Sequence, residues 1–432
     1  MAIAGRASSP GACASSCARS GTAGAITLEE RSTKVLLCNT LYHPNAVGGA
    51  ERSVQLLAES LAERGHEVVV VTLGRGRAPR TDDVRGVRVH YLPVRNLYWP
   101  FAEPTPGVLR KALWHALDSH NPLMAAAVGA ILDEERPDVV HTHTIAGFSV
   151  AVWRAVKRRG LPLVHTLRDL YLLCPRTTMF RNGRDCETPC LSCRACAWPR
   201  RRLTTQVDVV TGVSRFIVER HRRHGYFAGV LWAVVYNACP PPAAAPGARA
   251  GERPGPLRIG YLGRLHPAKG VDRLVQAFRS IEPGAAELWI AGTGRPGDEA
   301  LLRTLVQDRA DVRWLGFTRP EALLSAVDLL VVPSLWHDTA PRVVLEAFAH
   351  GVPVVGSTRG GIPELVVEGT GWLFDPDDPG ALAAVLHRCI EERDRLAAVG
   401  EAARAHAARF TPEAVTTAYL EVYGRALEAR RG

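Results

Sequence analysis

Short apolar segments alternate with longer amphipathic segments along the first half of the chain. The segments at 49–65 and 148–160 space their apolar residues at helical intervals, and each ends at a glycine. Strands that are nearly continuous runs of Val, Leu and Ile, separated by helices, are typical of a parallel sheet covered on both faces. The predicted strands are KVLLCNT (34–40), EVVVVTL (67–73), VRVHYLP (87–93), DVVHTHT (138–144), PLVHTLR (162–168) and DVVTGVS (208–214).

The alternation restarts after a segment of different composition. Residues 239–256, CPPPAAAPGARAGERPGP, are too rich in Pro, Ala and Gly to sustain a helix or strand and are predicted to be a linker. The strands predicted beyond it are LRIGYLG (257–263), ELWIAG (287–292), VRWLGF (312–317), DLLVVPS (328–334), VPVVGS (352–357) and GWLF (371–374). We therefore expect two doubly wound, Rossmann-like α/β domains facing a central cleft. Ligands of such sheets bind beyond the carboxyl ends of the strands, so the cleft is the predicted active site.

Domain boundaries follow from these segments. Residues 1–33 are small and polar and lack the apolar core of a signal peptide, so a disordered extension is expected there. The first domain is predicted over 34–238 and the second over 257–410, with the linker between them. A last helix is predicted within 411–432.

The charge balance narrows the choice of partners. The 432 residues include 53 Lys and Arg against 43 Asp and Glu, a formal net charge of +10. No basic stripe is interleaved with aromatic residues, so nucleic acid is not an expected partner. No uninterrupted apolar run approaches the roughly 18 residues of a membrane-spanning helix. We expect a cytoplasmic protein, and peripheral contact with acidic lipid at the inner face of a membrane remains open.

A lysine follows a strand end at the start of the second domain. Only four of the 53 basic residues are lysines, and Lys269 stands five residues after Arg264 in GYLGRLHPAKG (260–270). A planar guanidinium, a compact ammonium and the free N–H groups of a helix start together suit a diphosphate. A surface loop with two solvated charges is the alternative.

Two acidic residues and a glycine pair follow within residues 333–366. Glu346 lies in the apolar run VVLEAFA, where a buried carboxylate needs hydrogen-bond donors such as sugar hydroxyls. Asp338, eight residues earlier, either caps the helix or contacts a ligand. Gly360 and Gly361 precede another helix start, where backbone N–H groups can bind an anion.

Taken together, these motifs resemble those of the retaining glycosyltransferases of family 4, which have the GT-B fold, across residues 34–425. The motifs concerned are GRL…KG at 263–270, the acidic pair at 338 and 346, GGAE at 48–51, PSLW, EAFAHGVPVV and GGIPELV. The resemblance implies that the first domain binds the acceptor and the second binds the nucleotide sugar. It also implies that the C-terminal helix crosses back to the first domain.

The resemblance assigns roles to individual residues. Arg264 and Lys269 would neutralise the leaving diphosphate in place of a metal, Glu346 would bind the ribose hydroxyls, and Asp338 would lie near the transferred sugar. The residues implied in donor binding are Gly48, Gly49, Arg264, Lys269, Asp338, Glu346, Gly360 and Gly361. The implied reaction moves a hexosyl unit from a nucleotide-diphosphate sugar, with UDP as the commonest nucleotide, to a hydroxyl of a saccharide, lipid or small-molecule acceptor. Attack would occur on the face that the leaving group departs from, without a catalytic cofactor.

The chain departs from the family pattern at two positions. Asp338 is one methylene shorter than the usual glutamate, and Arg168 stands where many members have a histidine. An arginine cannot act as a base at neutral pH, so the neighbouring Asp169 or the leaving phosphate would take the acceptor proton. The predicted catalytic residues are Arg264, Lys269, Asp338, Arg168 and Asp169, with Glu51, His141 and His143 on the acceptor side.

A cysteine-rich insert is predicted over 174–202. Its spacing, C-x3-C-x2-C-x2-C, favours a structural zinc site at Cys186, Cys190, Cys193 and Cys196. An iron–sulfur cluster and free or paired thiols in a loop are the alternatives. The insert follows a predicted strand end of the first domain, so it is a candidate acceptor site or lid. The adjacent PRRR (199–202) is expected to be a solvated charge run, although contact with acidic lipid is open.

Two other functions are compatible with the same motifs. A sugar-nucleotide-binding pseudoenzyme, serving as a partner subunit, would keep the diphosphate and ribose contacts without turnover. A nucleotide-sugar epimerase would share the GT-B architecture but would be expected to have a different set of acidic and histidine residues.

Overall fold

The computed structural model describes residues 32–45, 48–101, 106–242 and 255–430. The predicted N-terminal extension lies outside the described residues as far as residue 31, and so do residues 243–254 of the predicted linker. The described residues form a mixed α/β structure with two Rossmann-like domains, each built on a mainly parallel sheet. The predicted fold class is therefore confirmed.

The sheet of the first domain has eight strands in the order β10-β9-β6-β5-β1-β2-β4-β3. All neighbours are parallel except β3 and β4, which form an antiparallel pair at one edge. A separate two-stranded hairpin, β7–β8, lies in the cysteine-rich insert. The strands are β1 (Lys34–Cys38), β2 (Glu67–Gly74), β3 (Arg80–Val84), β4 (Val87–Pro93), β5 (Val139–Thr142), β6 (Leu163–Leu167), β7 (Phe180–Arg181), β8 (Arg184–Asp185), β9 (Val209–Gly212) and β10 (Leu231–Val234).

The sheet of the second domain has six parallel strands in the order β13-β12-β11-β14-β15-β16. Its first strand, β11, lies between β12 and β14, so the strand order reverses beside it. Such a reversal opens a crevice at the carboxyl ends of the strands. The strands are β11 (Leu257–Leu262), β12 (Ala286–Ala291), β13 (Val312–Gly316), β14 (Leu329–Val332), β15 (Val354–Ser357) and β16 (Gly371–Phe374).

Helices connect the strands and cover both faces of each sheet. They are α1 (Gly49–Glu63), α2 (Val108–Ser119), α3 (Pro122–Glu135), α4 (Ala151–Arg158), α5 (Leu191–Leu203), α6 (Arg215–Arg223), α7 (Val271–Phe278), α8 (Pro296–Leu305), α9 (Pro320–Leu324), α10 (Arg342–Ala349), α11 (Ile362–Leu365), α12 (Ala381–Glu391), α13 (Leu396–Ala407) and α14 (Pro412–Glu428). Among the described residues, no helix has the length and apolar character needed to cross a membrane.

The two faces of the first sheet bury different cores. Val35 and Leu37 of β1 belong to a cluster with residues of α1 and α14, whereas Leu36 of the same strand packs into a cluster with α3 and α4. Alternate side chains of a strand point to opposite faces, so a sheet covered on both faces needs apolar residues at every position. The last helix, α14, contacts α1, β5, β6 and β9, and therefore covers the sheet of the first domain from the C-terminal end of the chain.

One polar edge strand and one helix start differ from the sequence prediction. The edge strand β3, RTDDV, is almost entirely exposed and lacks the apolar run by which strands were recognised. α4 begins at Ala151 and not at residue 148. The reason is Ser149, whose positive φ of 69° interrupts the helix while its hydroxyl accepts the Asn121 N–H at 2.8 Å.

Candidate active site between the two sheets

Two loops of the second domain meet at the carboxyl ends of β11 and β14. Gly270 has a φ of +69°, and a Cβ built there would lie 1.9 Å from the Pro333 carbonyl oxygen. The Ala268 carbonyl accepts N–H groups from Leu335 at 2.9 Å and Trp336 at 3.3 Å. The glycine thus permits a close approach that holds the 264–270 loop against the 333–338 loop.

Lys269 and Asp338, which sequence reasoning placed in separate motifs, form an ion pair at this junction. The Lys269 ammonium donates to Asp338 Oδ2 and lies 5.1 Å from the centre of the Trp336 ring. Both charged side chains are mostly buried, whereas Arg264 at the same strand end is exposed. The site therefore joins a shielded ammonium–carboxylate pair to a solvent-facing guanidinium, an arrangement that an anionic ligand can rearrange.

The glycine pair Gly360-Gly361 is used for close packing of loops. A Cβ on Gly360 would lie 2.0 Å from the Asp338 carbonyl oxygen. The Gly361 N–H donates to that oxygen at 2.7 Å, and the Gly360 N–H donates to His337 Nδ1 at 3.2 Å. Both amides already have acceptors within the protein, so anion binding by these two groups stays a prediction.

Glu346 is held by an arginine that sequence reasoning missed. Arg342, one turn earlier on α10, donates from Nη2 to Glu346 Oε1 at 3.1 Å. Its Nη1 donates to Ser53 Oγ on α1 at 3.0 Å and to the Ala238 carbonyl at 3.1 Å. The buried guanidinium therefore links Glu346 to the first domain, and the only sequence signal was a basic residue four positions before the glutamate.

The start of α1 approaches the same arginine. A Cβ on Gly49 would lie 2.8 Å from Arg342 Cδ, so the absence of a side chain makes room for the link between the domains. Gly48 donates its N–H to Glu51 Oε2 at 2.9 Å. Glu51, predicted on the acceptor side, thus caps its own helix, and a donor phosphate would compete with it for the Gly48 amide.

Arg168 lies where the two domains meet. It donates from Nη1 to Asn237 Oδ1 at 2.8 Å and from Nε to His143 Nδ1 at 3.3 Å. Its carbonyl accepts the Thr339 hydroxyl at 2.8 Å, and Thr339 follows Asp338 directly. The predicted pair Arg168-Asp169 is thereby brought to the acidic loop of the second domain.

His141 and His143, which were predicted on the acceptor side, lie in the interior. Their exposed fractions are 0% and 1%. His141 bonds to the Tyr423 hydroxyl at 2.8 Å and to the Thr166 hydroxyl at 2.7 Å, so α14 covers it. Burial lowers the pKa of both imidazoles well below the usual value, so both are neutral at physiological pH. The assignment of these two residues to the acceptor side stays a prediction.

A second connection between the domains also escaped sequence reasoning. Glu364, in the first turn of α11, accepts the N–H groups of Arg215 and Phe216, each at 2.7 Å. It also accepts the Tyr236 hydroxyl at 3.1 Å. A carboxylate at the first turn of α6 is favoured by the free N–H groups and dipole there, so this contact stabilises the packing of the second domain against the first.

Comparison with known families identifies both halves of this cleft. Residues 48–238 match a family described as glycosyl transferase 4-like domain, and residues 256–392 match one described as glycosyl transferases group 1. A Klebsiella pneumoniae protein of 42.6 kDa from the cps region is 33% identical over 331 residues, which cover 77% of this chain and 87% of that protein. The chain belongs to the glycosyltransferase family that is built from these two domains.

Other relatives agree with this assignment. A D-inositol 3-phosphate glycosyltransferase of Thermobispora bispora is 29% identical over 415 residues, covering 88% of this chain and 90% of that protein. The sucrose-phosphate synthase of Thermosynechococcus elongatus superposes with a TM-score of 0.73 at 23% identity, over 90% of this chain and 98% of that one. The Anabaena protein HepE, solved with UDP and glucose, superposes with a TM-score of 0.65 at 22% identity, over 90% and 99%. These structural neighbours establish the GT-B fold of this glycosyltransferase.

The close approach at Gly270 makes a prediction for the glycosyltransferase. Gly270→Ala is expected to lower the free energy of unfolding by more than 2 kcal/mol, because a left-handed backbone costs alanine about 1–2 kcal/mol and the Cβ also strikes a backbone carbonyl. Displacing the loop would also remove Lys269 from Asp338. Chemical unfolding and nucleotide-binding measurements test both effects.

Gly284 is the matched control for this substitution. Its φ is +87°, and a Cβ there would have nothing within 4 Å. Gly284→Ala should therefore incur the backbone cost alone and leave nucleotide binding unchanged. Equal losses of stability for the two variants would contradict the proposed clash with Pro333.

Asp169 carries an unusual carboxyl group in the cleft of the glycosyltransferase. Its Oδ1 accepts the Tyr171 N–H at 2.8 Å, and burial raises its pKa to about 6. A raised carboxyl pKa means that ionisation destabilises the folded state above about pH 6 and has no such effect below the unfolded pKa near 4.

Asp169→Asn is therefore expected to stabilise the protein at pH 7.5, by about 2–3 kcal/mol. The amide oxygen can still accept the Tyr171 N–H, and no charge remains to be desolvated. Unfolding measured in a pH series should show the advantage shrinking between pH 6 and pH 4. An advantage independent of pH would show that the carboxyl group ionises without penalty.

Three cysteines of the insert lie close together. Cys193 Sγ lies 3.4 Å from Cys190 Sγ and 3.6 Å from Cys174 Sγ. A hydrogen bond with the Ser192 hydroxyl and, to a smaller extent, hydrogen bonds with Cys193 lower the pKa of the exposed Cys190 thiol to about 7. Cys174, which is not one of the four predicted zinc ligands, thus lies beside Cys193. Within the described part of the chain, no group of three or more His, Cys, Asp or Glu residues is arranged to hold a metal, and zinc at the insert stays a prediction.

The insert also reaches the second domain. Asp185, at the end of β8, accepts the His337 N–H at 3.3 Å and lies 3.5 Å from Arg359 Nε. His337 precedes Asp338, so the insert contacts the acidic loop directly. This contact is compatible with the predicted role of the insert as an acceptor site or lid.

One arginine of the predicted solvated run PRRR is completely buried. Arg200 has an exposed fraction of 0%, lies 3.8 Å from the centre of the Tyr171 ring and donates to the Tyr171 carbonyl. Its Nη2 lies 3.5 Å from Asp118 Oδ2, and Asp118 is equally buried. The expectation of a solvated run is therefore wrong for Arg200, which holds α5 against the rest of the first domain through Tyr171 and Asp118.

Proposed function

We propose that this glycosyltransferase transfers a hexosyl unit, with retention of configuration, from a nucleotide-diphosphate sugar to a hydroxyl of a saccharide, lipid or small-molecule acceptor. UDP is the proposed donor nucleotide, and no metal takes part. The observation that carries the proposal is the Lys269–Asp338 pair in the cleft, with Glu346 held by Arg342 on the next helix.

The chemistry of these side chains supports the donor assignment. Lys269 and the exposed Arg264 provide two cations for the diphosphate, whose negative charge grows as the sugar–phosphate bond breaks. When the diphosphate engages Lys269, the Asp338 carboxylate is released to accept hydrogen bonds from sugar hydroxyls. Arg342 engages one oxygen of Glu346, which leaves acceptor capacity on the carboxylate for the ribose hydroxyls.

The acceptor proton needs a destination in the proposed reaction. Arg168 stays protonated and can only donate hydrogen bonds. The leaving phosphate oxygen can accept the proton as the acceptor oxygen attacks on the same face. Asp169, with its raised pKa, is the alternative base in the cleft.

The deciding experiment is a calorimetric panel of UDP-, GDP-, ADP- and TDP-sugars on the native chain, Lys269→Ala and Lys111→Ala. We expect one nucleotide to bind selectively and Lys269→Ala to weaken it by about 1–3 kcal/mol, because a charge-assisted contact is lost. Lys111 is an exposed lysine on α2 and serves as the matched control.

The other outcomes separate the alternatives. Selective binding without release of nucleotide diphosphate would favour a pseudoenzyme that acts as a partner subunit. Conversion of the sugar nucleotide without any acceptor would favour an epimerase. Absence of binding to every nucleotide, or binding that is insensitive to Lys269→Ala, would refute the donor site.

A further inference from the structure

Two neighbouring helices of the first domain expose large apolar side chains. α2 and α5 contact each other. Leu109, Leu113 and Leu117 on α2 are exposed by 75%, 51% and 48%, and Leu191 and Trp198 on α5 by 82% and 60%. Folded monomers rarely leave so many large apolar side chains together in water, so this surface indicates a binding partner.

The exposed residues form a stripe on each helix. The three leucines of α2 recur every four residues and therefore share one side of the helix, while Trp114 and Asp118 point into the protein. Leu191 and Trp198 are seven residues apart, about two turns, and so also share one side. Leu97 and Phe101, in the segment that precedes α2, are also exposed, by 42% and 40%.

The exposed charged side chains on the two helices themselves all have one sign. The exposed ionisable residues of the two helices are Arg110, Lys111, Arg194, Arg201 and Arg202. Within α2 and α5, whose residues are all described, Asp118 is the only acidic residue, and it is buried. Arg202 lies 4.2 Å from the centre of the Trp198 ring, so its alkyl stem follows the apolar surface while its charge stays at the edge.

We propose that α2 and α5 form a docking surface for an anionic lipid bilayer. A stripe of leucines enters the boundary between headgroups and acyl chains, tryptophan favours that boundary, and basic residues at the edge contact anionic headgroups. Charge complementarity favours lipid over a second copy of this chain, because two copies would bring five cations against five. The net charge of +10 acts in the same direction.

Docking would also fix the position of the cleft relative to the bilayer. The insert that carries α5 contacts the acidic loop through Asp185 and His337. A bilayer under α5 therefore lies next to the acceptor side of the cleft, which favours an acceptor that resides in the membrane. This consequence rests on the proposed function, whereas the docking surface does not.

Vesicle flotation of the full chain tests the docking surface without any sugar donor. The vesicles consist of phosphatidylcholine alone or mixed with phosphatidylglycerol, and the variants are Leu109→Ser/Leu113→Ser and Leu301→Ser. Leu301, exposed by 61% on α8 of the second domain, is the matched control. We expect the native chain and the control to float with the anionic vesicles only, less so at high salt, and the double variant to partition at least about tenfold more weakly.

Three results would overturn the docking surface. The first is that the native chain does not float with anionic vesicles, and the second is that the double variant floats as well as the native chain. The third is that neither protein binds vesicles, while sedimentation velocity shows the native chain as a dimer and the double variant as a monomer. That result would assign the surface to self-association. Circular dichroism and nucleotide binding on the same preparations show that the variants are folded and separate this test from that of the donor site.

Discussion

Replacing Lys269 with alanine is expected to lower the rate of nucleotide diphosphate release from the preferred sugar donor by about 10²–10³-fold. The ammonium lies in the partly buried junction of two strand-end loops, where it pairs with Asp338. A positive charge held there stabilises the diphosphate more as its negative charge grows, so its loss affects the transition state more than the bound ground state. The substitution also leaves Asp338 without its counter-ion, which disfavours the approach of a diphosphate.

Two further variants show that charge at this position is the cause. Lys269→Arg keeps the charge in a larger, planar group and should recover part of the rate. Lys111→Ala removes an exposed lysine elsewhere and should leave the rate unchanged. A normal rate in Lys269→Ala, measured as nucleotide diphosphate formed, would remove Lys269 from the catalytic machinery.

Replacing Arg200 with methionine is expected to lower the free energy of unfolding by about 3–5 kcal/mol, because it leaves the buried Asp118 carboxylate without a counter-ion. Asp118 would keep the Gly147 N–H and the Tyr171 hydroxyl, each at 2.6 Å, but no positive charge. Chemical unfolding followed by circular dichroism measures the effect. Arg202→Met, on the exposed side of the same helix, should change the stability by less than about 0.5 kcal/mol.

The pH dependence gives this prediction a second readout. Burial already raises the pKa of Asp118, and loss of Arg200 would raise it further. The stability lost in Arg200→Met should therefore diminish as the pH falls and Asp118 becomes protonated. Adding Asp118→Asn should recover much of the loss. A loss that is the same at all pH values would point to packing around Tyr171 and not to charge.

Most of the strands were predictable because they are buried on both faces. In a parallel sheet covered by helices, every position of a strand faces a core, so the strand is apolar throughout and stands out from the chain. The edge strand β3 lacks this signal because it is exposed, and its pairing with β4 depends on backbone hydrogen bonds that any residue can make. The helix α4 was placed three residues early, because a positive φ at Ser149 leaves no trace in the apolar pattern.

In the candidate site, too, the sequence indicated some features and could not indicate others. The sequence alone indicated Lys269, Asp338 and Glu346, because each stands in a short motif with a recognisable type of side chain at a strand end or in a helix. It could not indicate that Lys269 pairs with Asp338, which is 69 positions away. Nor could it distinguish Arg200, which is buried, from Arg202, which is exposed, since both stand in one basic run.

By itself, the sequence determined the apolar strands of both sheets, the two-domain α/β class and the motifs of the donor site, because these depend on periodicity and on residues near each other in the chain. Only the tertiary structure decided which groups meet across the cleft. It set Arg342 between Glu346 and Ser53, and it buried His141 under α14. Such contacts depend on how separate elements pack, and the burial that packing creates also decides which ionisable groups keep their ordinary pKa.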